Sequence, residues 1–141
     1  MTYNEKLAYL RSYRQQEHHI DTLLAEAERW RSRAKAMTAH YGAAGGKGSS
    51  AGFPAAVEKV LELEAQIEQE IDAIMTQRQI IGLAIQSLRD QRYQDVLSLH
   101  YQAGLSIQKV AAHLHYEEKY VYKLRRKAIK ALPLERFLHA E

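Results

Sequence analysis

The stretch VLSLHYQAGLSIQKVAAHLHYEEKYVYKLRRKAIKAL, Val96 to Leu132, decides the fold of this chain. It contains three short amphipathic segments in succession. The second segment opens at Ser106, a residue type favoured as a helix N-cap, and a turn near His115 separates it from the third. Pro133 follows, and the residue before a proline disfavours helical geometry. The pattern therefore predicts a small helical module over residues 90–141.

The order of these segments is that of a helix-turn-helix. Such a motif needs a small residue where its two helices cross, and Ala111 lies there. It also needs apolar anchors on both helices, and its second helix must carry a polar, basic outer face that lies in the major groove of DNA. The candidate anchors are Ile107, Val110, Leu114, Val121 and Leu124.

The positive charge of the chain is concentrated in the segment Glu117–Leu132, which holds six basic and two acidic side chains, 6 − 2 = +4. Residues 1–116 carry thirteen side chains of each sign, and the residues after Leu132 add −1, which gives the total of +3. A local positive strip attracts a phosphate backbone, because each neutralised phosphate releases bound counterion. The candidate DNA-binding residues of this strip are Glu118, Lys119, Tyr122, Lys123, Arg125, Arg126, Lys127 and Lys130.

Two of these candidates have a second interpretation. Tyr122 could contact DNA or pack against the N-terminal part of the chain. The aliphatic stem of Arg125 could cover the core of the module while its head reaches a phosphate.

The chain before the module predicts two long helices, over residues 1–41 and 55–89, separated by a flexible Gly/Ser-rich linker at residues 42–54. Apolar residues recur in steps of three and four along both helices, which is typical of a coiled coil. Charged residues interrupt this seam at Glu17, Arg31, Glu64 and Arg78, where polar side chains can fix the register.

The first helix ends basic and the second begins acidic, which favours an antiparallel hairpin. Two helices alone bury little apolar surface, so we expect the hairpin to form a homo-oligomer through residues 7–37 and 57–88. A plain three-helix bundle without assembly is the alternative. The expected fold class is all-α in either case.

The C-terminal pattern resembles region 4 of bacterial sigma factors, and the whole chain is similar in architecture to small phage-encoded proteins related to ArpU-type late transcriptional regulators. The resemblance implies sequence-specific binding of double-stranded DNA at a promoter-like site, with Glu118, Lys119, Tyr122, Lys123 and Arg126 facing the duplex. It also implies contact with host RNA polymerase. Two positions depart from the pattern: His115 replaces a glycine in the turn, and Glu117 replaces a Ser or Thr N-cap. The matching residues are Val96, Leu97, Leu99, Tyr101, Gly104, Ser106, Val110, Ala111, Val121 and Ala128.

Signals for catalysis, cofactors or metals are poor. The chain has no cysteine, and its histidines lack metal-ligand spacing. The glycine-rich stretch around Lys47 lacks the Ser or Thr of a phosphate-binding loop and does not follow a strand. We therefore expect no cofactor, no metal site and no enzymatic activity. No apolar run is long enough to cross a bilayer, so we expect no membrane partner and a cytoplasmic location in a bacterial host cell.

The leading hypothesis is a phage or prophage transcription regulator that binds DNA through its C-terminal module and assembles through its hairpin. A small terminase subunit would combine the same two elements at a packaging site. An adaptor that binds RNA polymerase without DNA is the third possibility.

Overall fold

The computed structural model describes residues 1–44 and 52–138. This part of the chain contains no β-strand, and a short π-helix, Ser98–Gln102, continues directly from α3. The predicted all-α class is confirmed. The six α-helices are α1 (Tyr3–Ala44), α2 (Gly52–Gln86), α3 (Gln91–Leu97), α4 (Ile107–Leu114), α5 (Glu118–Ala131) and α6 (Leu134–Leu138).

The two long helices differ slightly from their predicted bounds. α1 continues to Ala44, and α2 begins at Gly52, which puts Pro54 in its first turn, a position that proline favours. α2 ends at Gln86 rather than at residue 89. The middle of the predicted linker, residues 45–51, lies outside the described residues.

The chain divides into two compact units, and the division does not follow the predicted domain boundary at residue 90. One unit combines Met1–Glu17 with Ile74–Glu141, and the other is His18–Ala73. The first seventeen residues therefore belong with the C-terminal helices. Their side chains explain this grouping, because Lys6 and Arg14 both donate hydrogen bonds to backbone carbonyls beyond residue 99.

In the unit His18–Ala73, α1 and α2 run antiparallel. Arg31 Nη2 lies 2.6 Å from Glu64 Oε1, and His19 Nε2 lies 3.2 Å from Glu70 Oε1. Arg31 and Glu64 are two of the charged residues that interrupt the apolar seam, and they form an ion pair with each other. In the unit that contains the chain termini, Arg78 Nη1 likewise lies 2.8 Å from Glu17 Oε1.

Several apolar residues of the predicted seam are exposed. Leu24 is 45% exposed, while its neighbour Leu23 is buried. On α2, Leu63 and Ile67 are buried, but Val57 is 36% exposed and Ile71 is 40% exposed. The sequence offers adjacent apolar residues on two faces of each helix, and only one face is covered within this chain.

The C-terminal helices share a small core of six buried residues. Val96 of α3 meets Val121 and Leu124 of α5 there, and Ala111 provides the small side chain on α4. Every predicted anchor contributes to this core, although Leu114 is only partly buried. The core consists of Val96, Ile107, Val110, Ala111, Val121 and Leu124.

The turn between α4 and α5 depends on a left-handed residue. His115 has φ 59° and ψ 41°. The N–H of Tyr116 donates to Ala111 O at 2.9 Å, and that of His115 donates to Ala112 O at 3.4 Å. This is the Schellman arrangement that ends many helices, usually with glycine at the left-handed position. The turn therefore keeps its geometry although the expected glycine is absent.

We predict that His115→Gly stabilises the protein by about 1 kcal/mol. Glycine adopts the left-handed conformation without the Cβ penalty, and part of that gain is offset by its greater freedom in the unfolded chain. Chemical denaturation at neutral pH measures the difference. His115→Val is the matched opposite, since a β-branched residue should be destabilising at this φ. Equal stability of the three proteins would contradict this account of the turn.

Candidate functional site

The outer surface of α5 carries a line of four cations. Lys119, Lys123, Arg126 and Lys130 follow one another in steps of four, three and four, so they share one face of the helix. All four side chains are exposed. We call this set the basic ridge. It extends over about 16 Å, at the usual helical rise of about 1.5 Å per residue.

The opposite face of α5 sets the direction of the ridge. Val121, Leu124, Ala128 and Ile129 are at most 2% exposed. Burying this apolar stripe is worth several kcal/mol, at about 25 cal/mol per Å² of apolar area. Rotation of α5 about its axis would expose the stripe, so the ridge is held outward by the core behind it.

Three further predicted residues flank the ridge and are exposed. Tyr122 is 50% exposed, and Lys127 and Glu118 also face solvent. The ring of Tyr122 does not pack into the core, but lies 5.3 Å from the Arg125 guanidinium carbon. Glu118 is in the first turn of α5, which is the end with exposed N–H groups and positive potential.

Arg125 is the one predicted site residue that turns inward. Its side chain is half-buried, and its Nε has no hydrogen-bond partner. It lines a cavity together with Arg11 and Arg14 of α1. Arg11 and Arg14 were not among the predicted site residues, because the sequence pattern places them only on the polar side of a long helix.

The N-terminus of α1 contacts the C-terminal half of α5. The buried Lys6 donates a hydrogen bond of 3.0 Å from Nζ to Lys130 O, and its Nζ lies 4.0 Å from Glu135 Oε2. A cation suits this position, since the last carbonyls of a helix have no intrahelical partner and carry partial negative charge. The ring of Tyr3 lies 5.6 Å from the Arg126 guanidinium carbon. α1 therefore supports α5 without covering the ridge.

The charges of the ridge are not neutralised by carboxylates. None of its four cations forms an ion pair within residues 1–44 and 52–138. α5 has no acidic residue after Glu118. The positive potential of the ridge therefore extends into solvent, where it is available to an external anion.

Comparison with known proteins identifies the region that contains this site. Residues 55–133, from the start of α2 to the proline after α5, match the family described as protein of unknown function (DUF1492). The chain belongs to this family. The curated proteins and the solved structures returned no match to it. The DUF1492 region includes the whole basic ridge and its core, whereas Lys6, Arg11 and Arg14 precede it.

None of the helices in the described residues is both long enough and apolar enough to span a membrane. No group of three or more His, Cys, Asp or Glu side chains in this part of the chain is arranged to hold a metal ion.

His100 is a buried titratable group of the DUF1492 region. It lies on the π-helix, is 7% exposed, and its Nδ1 lies 2.7 Å from Leu105 O. Burial lowers the pKa of His100 to about 4, the hydrogen bond to Leu105 opposes that shift, and the charges of Arg14 and Arg125 add to it. Near neutral pH the ring is therefore uncharged, with Nδ1–H donating to the carbonyl.

We predict that His100 makes the protein less stable in mild acid. Below about pH 6.5 the unfolded chain binds a proton at this residue, while the folded protein does not until pH reaches about 4. The free energy of unfolding should fall across that interval by at most about 3 kcal/mol from this group. Urea unfolding at several pH values, compared with His100→Asn, isolates the contribution, since asparagine retains a donor for Leu105 O. Parallel pH profiles for the two proteins would contradict the prediction.

Proposed function

We propose that this protein is a phage or prophage transcription regulator that binds double-stranded DNA through α4 and α5 as a helix-turn-helix, and that assembles through α1 and α2. The observation that supports the DNA-binding role is the basic ridge: four aligned, exposed cations on the outer face of α5 that form no ion pair with the described residues. In this proposal the protein acts by binding and not by catalysis.

The dimensions of the ridge suit a duplex. The major groove of B-DNA is about 12 Å wide and admits an α-helix, and α5 follows α4 after the turn at His115 as a recognition helix would. The four cations extend over about three helical turns, and basic side chains of this kind contact phosphates along the groove. Because each phosphate contact releases counterion, the ridge gives affinity that decreases with salt.

Sequence preference would come from the first turn of α5. In a recognition helix the N-terminal residues reach the base edges, and here those residues include Glu118 and Lys119. A carboxylate accepts a hydrogen bond from the cytosine amino group, and a lysine donates to guanine. Together these two hydrogen bonds favour a G·C base pair where the first turn of α5 meets the major groove.

Assembly is supported by apolar surface in the unit His18–Ala73. Leu61 is 59% exposed and Val57 is 36% exposed. With Ala34 and Val60 they line an apolar cavity of about 280 Å³. Adjacent exposed apolar residues beside a cavity are typical of a surface that is covered by another chain. A second copy would bring a second recognition helix, and linkage of two DNA contacts raises the overall affinity.

The location of the bound sites separates transcription from packaging. A regulator selects promoter-proximal fragments from a genome, whereas a terminase-like protein selects packaging origins. An adaptor for RNA polymerase would retain no fragment at low salt, yet would still bind the polymerase. Contact with host polymerase is compatible with the proposed regulator, and co-purification measures it independently of DNA.

We predict that Lys123→Ala with Arg126→Ala weakens DNA binding by roughly ten- to a hundredfold and reduces the slope of log affinity against log salt by about 2. The change removes two phosphate contacts from the centre of the ridge, while alanine preserves the helix. Fluorescence anisotropy with labelled genomic fragments at several salt concentrations measures both quantities.

The matched control is Arg29→Ala with Arg33→Ala, which removes the same charge from exposed positions on α1. This control should retain the wild-type slope of log affinity against log salt concentration. If both double variants lose affinity equally, the effect is one of net charge and the ridge has no special role. If neither does, DNA binding through α5 is wrong.

We predict that Leu61→Glu lowers the oligomeric state without loss of helicity. A charge placed on an exposed apolar surface costs little in the single chain, but is buried when a second chain covers it. Sedimentation and light scattering measure the mass, and circular dichroism measures helicity. Ala73→Glu adds the same charge at another exposed position of α2, and it should assemble like wild type. Assembly of the Leu61→Glu protein would exclude this surface.

A further inference from the structure

A cavity lined by three arginines lies apart from the basic ridge. Its volume is about 320 Å³, and its walls come from α1, the π-helix and α5. The lining residues are Arg11, Arg14, Gln15, His100, Tyr101 and Arg125. All belong to the same compact unit, and none is acidic.

Two of the three guanidinium groups have few or long hydrogen bonds to the described residues. Arg125 Nε is buried without a hydrogen-bond partner. Arg14 makes two long hydrogen bonds to described residues, 3.4 Å from Nε to His100 O and 3.5 Å from Nη2 to Gly104 O. A buried donor without a partner costs about 1–3 kcal/mol, and more when it is charged. The Arg125 Nε–H therefore remains available to a ligand in this cavity.

The charges of these arginines also converge on the cavity. No carboxylate forms an ion pair with Arg11, Arg14 or Arg125 in the described part of the chain. Burial raises the pKa of the Tyr101 hydroxyl, and the positive charges of Arg125, Arg11 and Arg14 oppose that rise. His100 stays neutral near pH 7 and adds no further charge. Three like charges around one cavity repel each other unless an anion lies between them.

We propose that this cavity is a binding site for a phosphoryl group. The planar fork of a guanidinium donates two parallel hydrogen bonds to a phosphate, and the tetrahedral oxyanion offers separate edges to three such forks. Gln15 provides a neutral amide on the same wall. The phosphoryl group would neutralise the three cations and satisfy Arg125 Nε.

A bound phosphoryl group would connect α1 to the helix that carries the basic ridge. Arg11 and Arg14 approach from α1, and Arg125 approaches from the inner side of α5. The site is separate from the proposed DNA-binding face, because Lys119, Lys123, Arg126 and Lys130 lie on the outer side of α5. It can therefore exist whether or not the ridge binds DNA.

Inorganic phosphate is the first probe. Thermal unfolding of the full chain is followed at about pH 7.5 in increasing potassium phosphate, with potassium chloride added to keep ionic strength constant. Phosphate stabilises most proteins weakly by exclusion from their surface, but that effect does not saturate. A site predicts a saturable rise in Tm, on the order of 5 °C.

Two variants test the assignment. Arg11→Gln lies on the exposed side of α1 and should not impair folding, and Arg125→Gln removes the half-buried guanidinium. Each should raise the half-saturating phosphate concentration by about tenfold or more, as expected when a bidentate charged contact is lost. Lys127→Gln removes the same charge from an outward position of α5 and should respond like wild type. A rise that does not saturate, or that is the same in all four proteins, would overturn the proposal.

A second measurement identifies the source of the phosphoryl group. If it belongs to the DNA backbone, free phosphate competes with DNA and Arg11→Gln lowers the salt slope of DNA binding. If it belongs to a free phosphorylated compound, Arg11→Gln binds DNA like wild type while the saturable response to phosphate is lost. The Lys123→Ala and Arg126→Ala pair reports on the ridge separately, so failure of either proposal leaves the other measurable.

Discussion

Burial of one face of α5 is the constraint on which the rest of the C-terminal structure depends. Val121 and Leu124 are held against Val96 of α3 and Val110 of α4. Because the helix has 3.6 residues per turn, fixing this face also fixes the opposite one. Apart from the contact of Arg126 with the Tyr3 ring, the direction of the ridge cations follows from the core behind them. Stability and the proposed recognition surface are therefore properties of the same helix packing.

The two faces of α5 use arginine in different ways. On the outer face, Arg126 lies beside the ring of Tyr3, with its charge open to solvent. On the inner side, Arg125 shares a cavity with Arg11 and Arg14. An exposed cation is well solvated and suits a transient contact with a polyanion. A partly desolvated cluster has lost some of that hydration, so it gains more from a single anion held in place.

Local pattern was sufficient to predict much of this structure. Apolar spacing predicted the helical segments and the outer face of α5, and the N-cap character of Ser106 predicted the start of α4, where its side chain accepts from Lys109 N. Contacts between residues far apart in sequence were not predictable. The cavity that Arg125 shares with Arg11 and Arg14, and the role of Lys6, depend on α1 reaching α5, which the sequence pattern does not indicate. Adjacent apolar residues such as Leu23 and Leu24 left the choice of buried face open.

The bond from Lys6 to Lys130 joins residues 124 positions apart, and this separation has a kinetic consequence. Helices α3 to α5 are neighbours in sequence and can associate early, since contacts between nearby segments close small loops. The start of α1 leaves the ribosome well before the carbonyl that Lys6 reaches is synthesised. The contact between Lys6 and α5 is therefore a late folding step, and chains interrupted before α5 leave the Lys6 ammonium without the carbonyl that it binds.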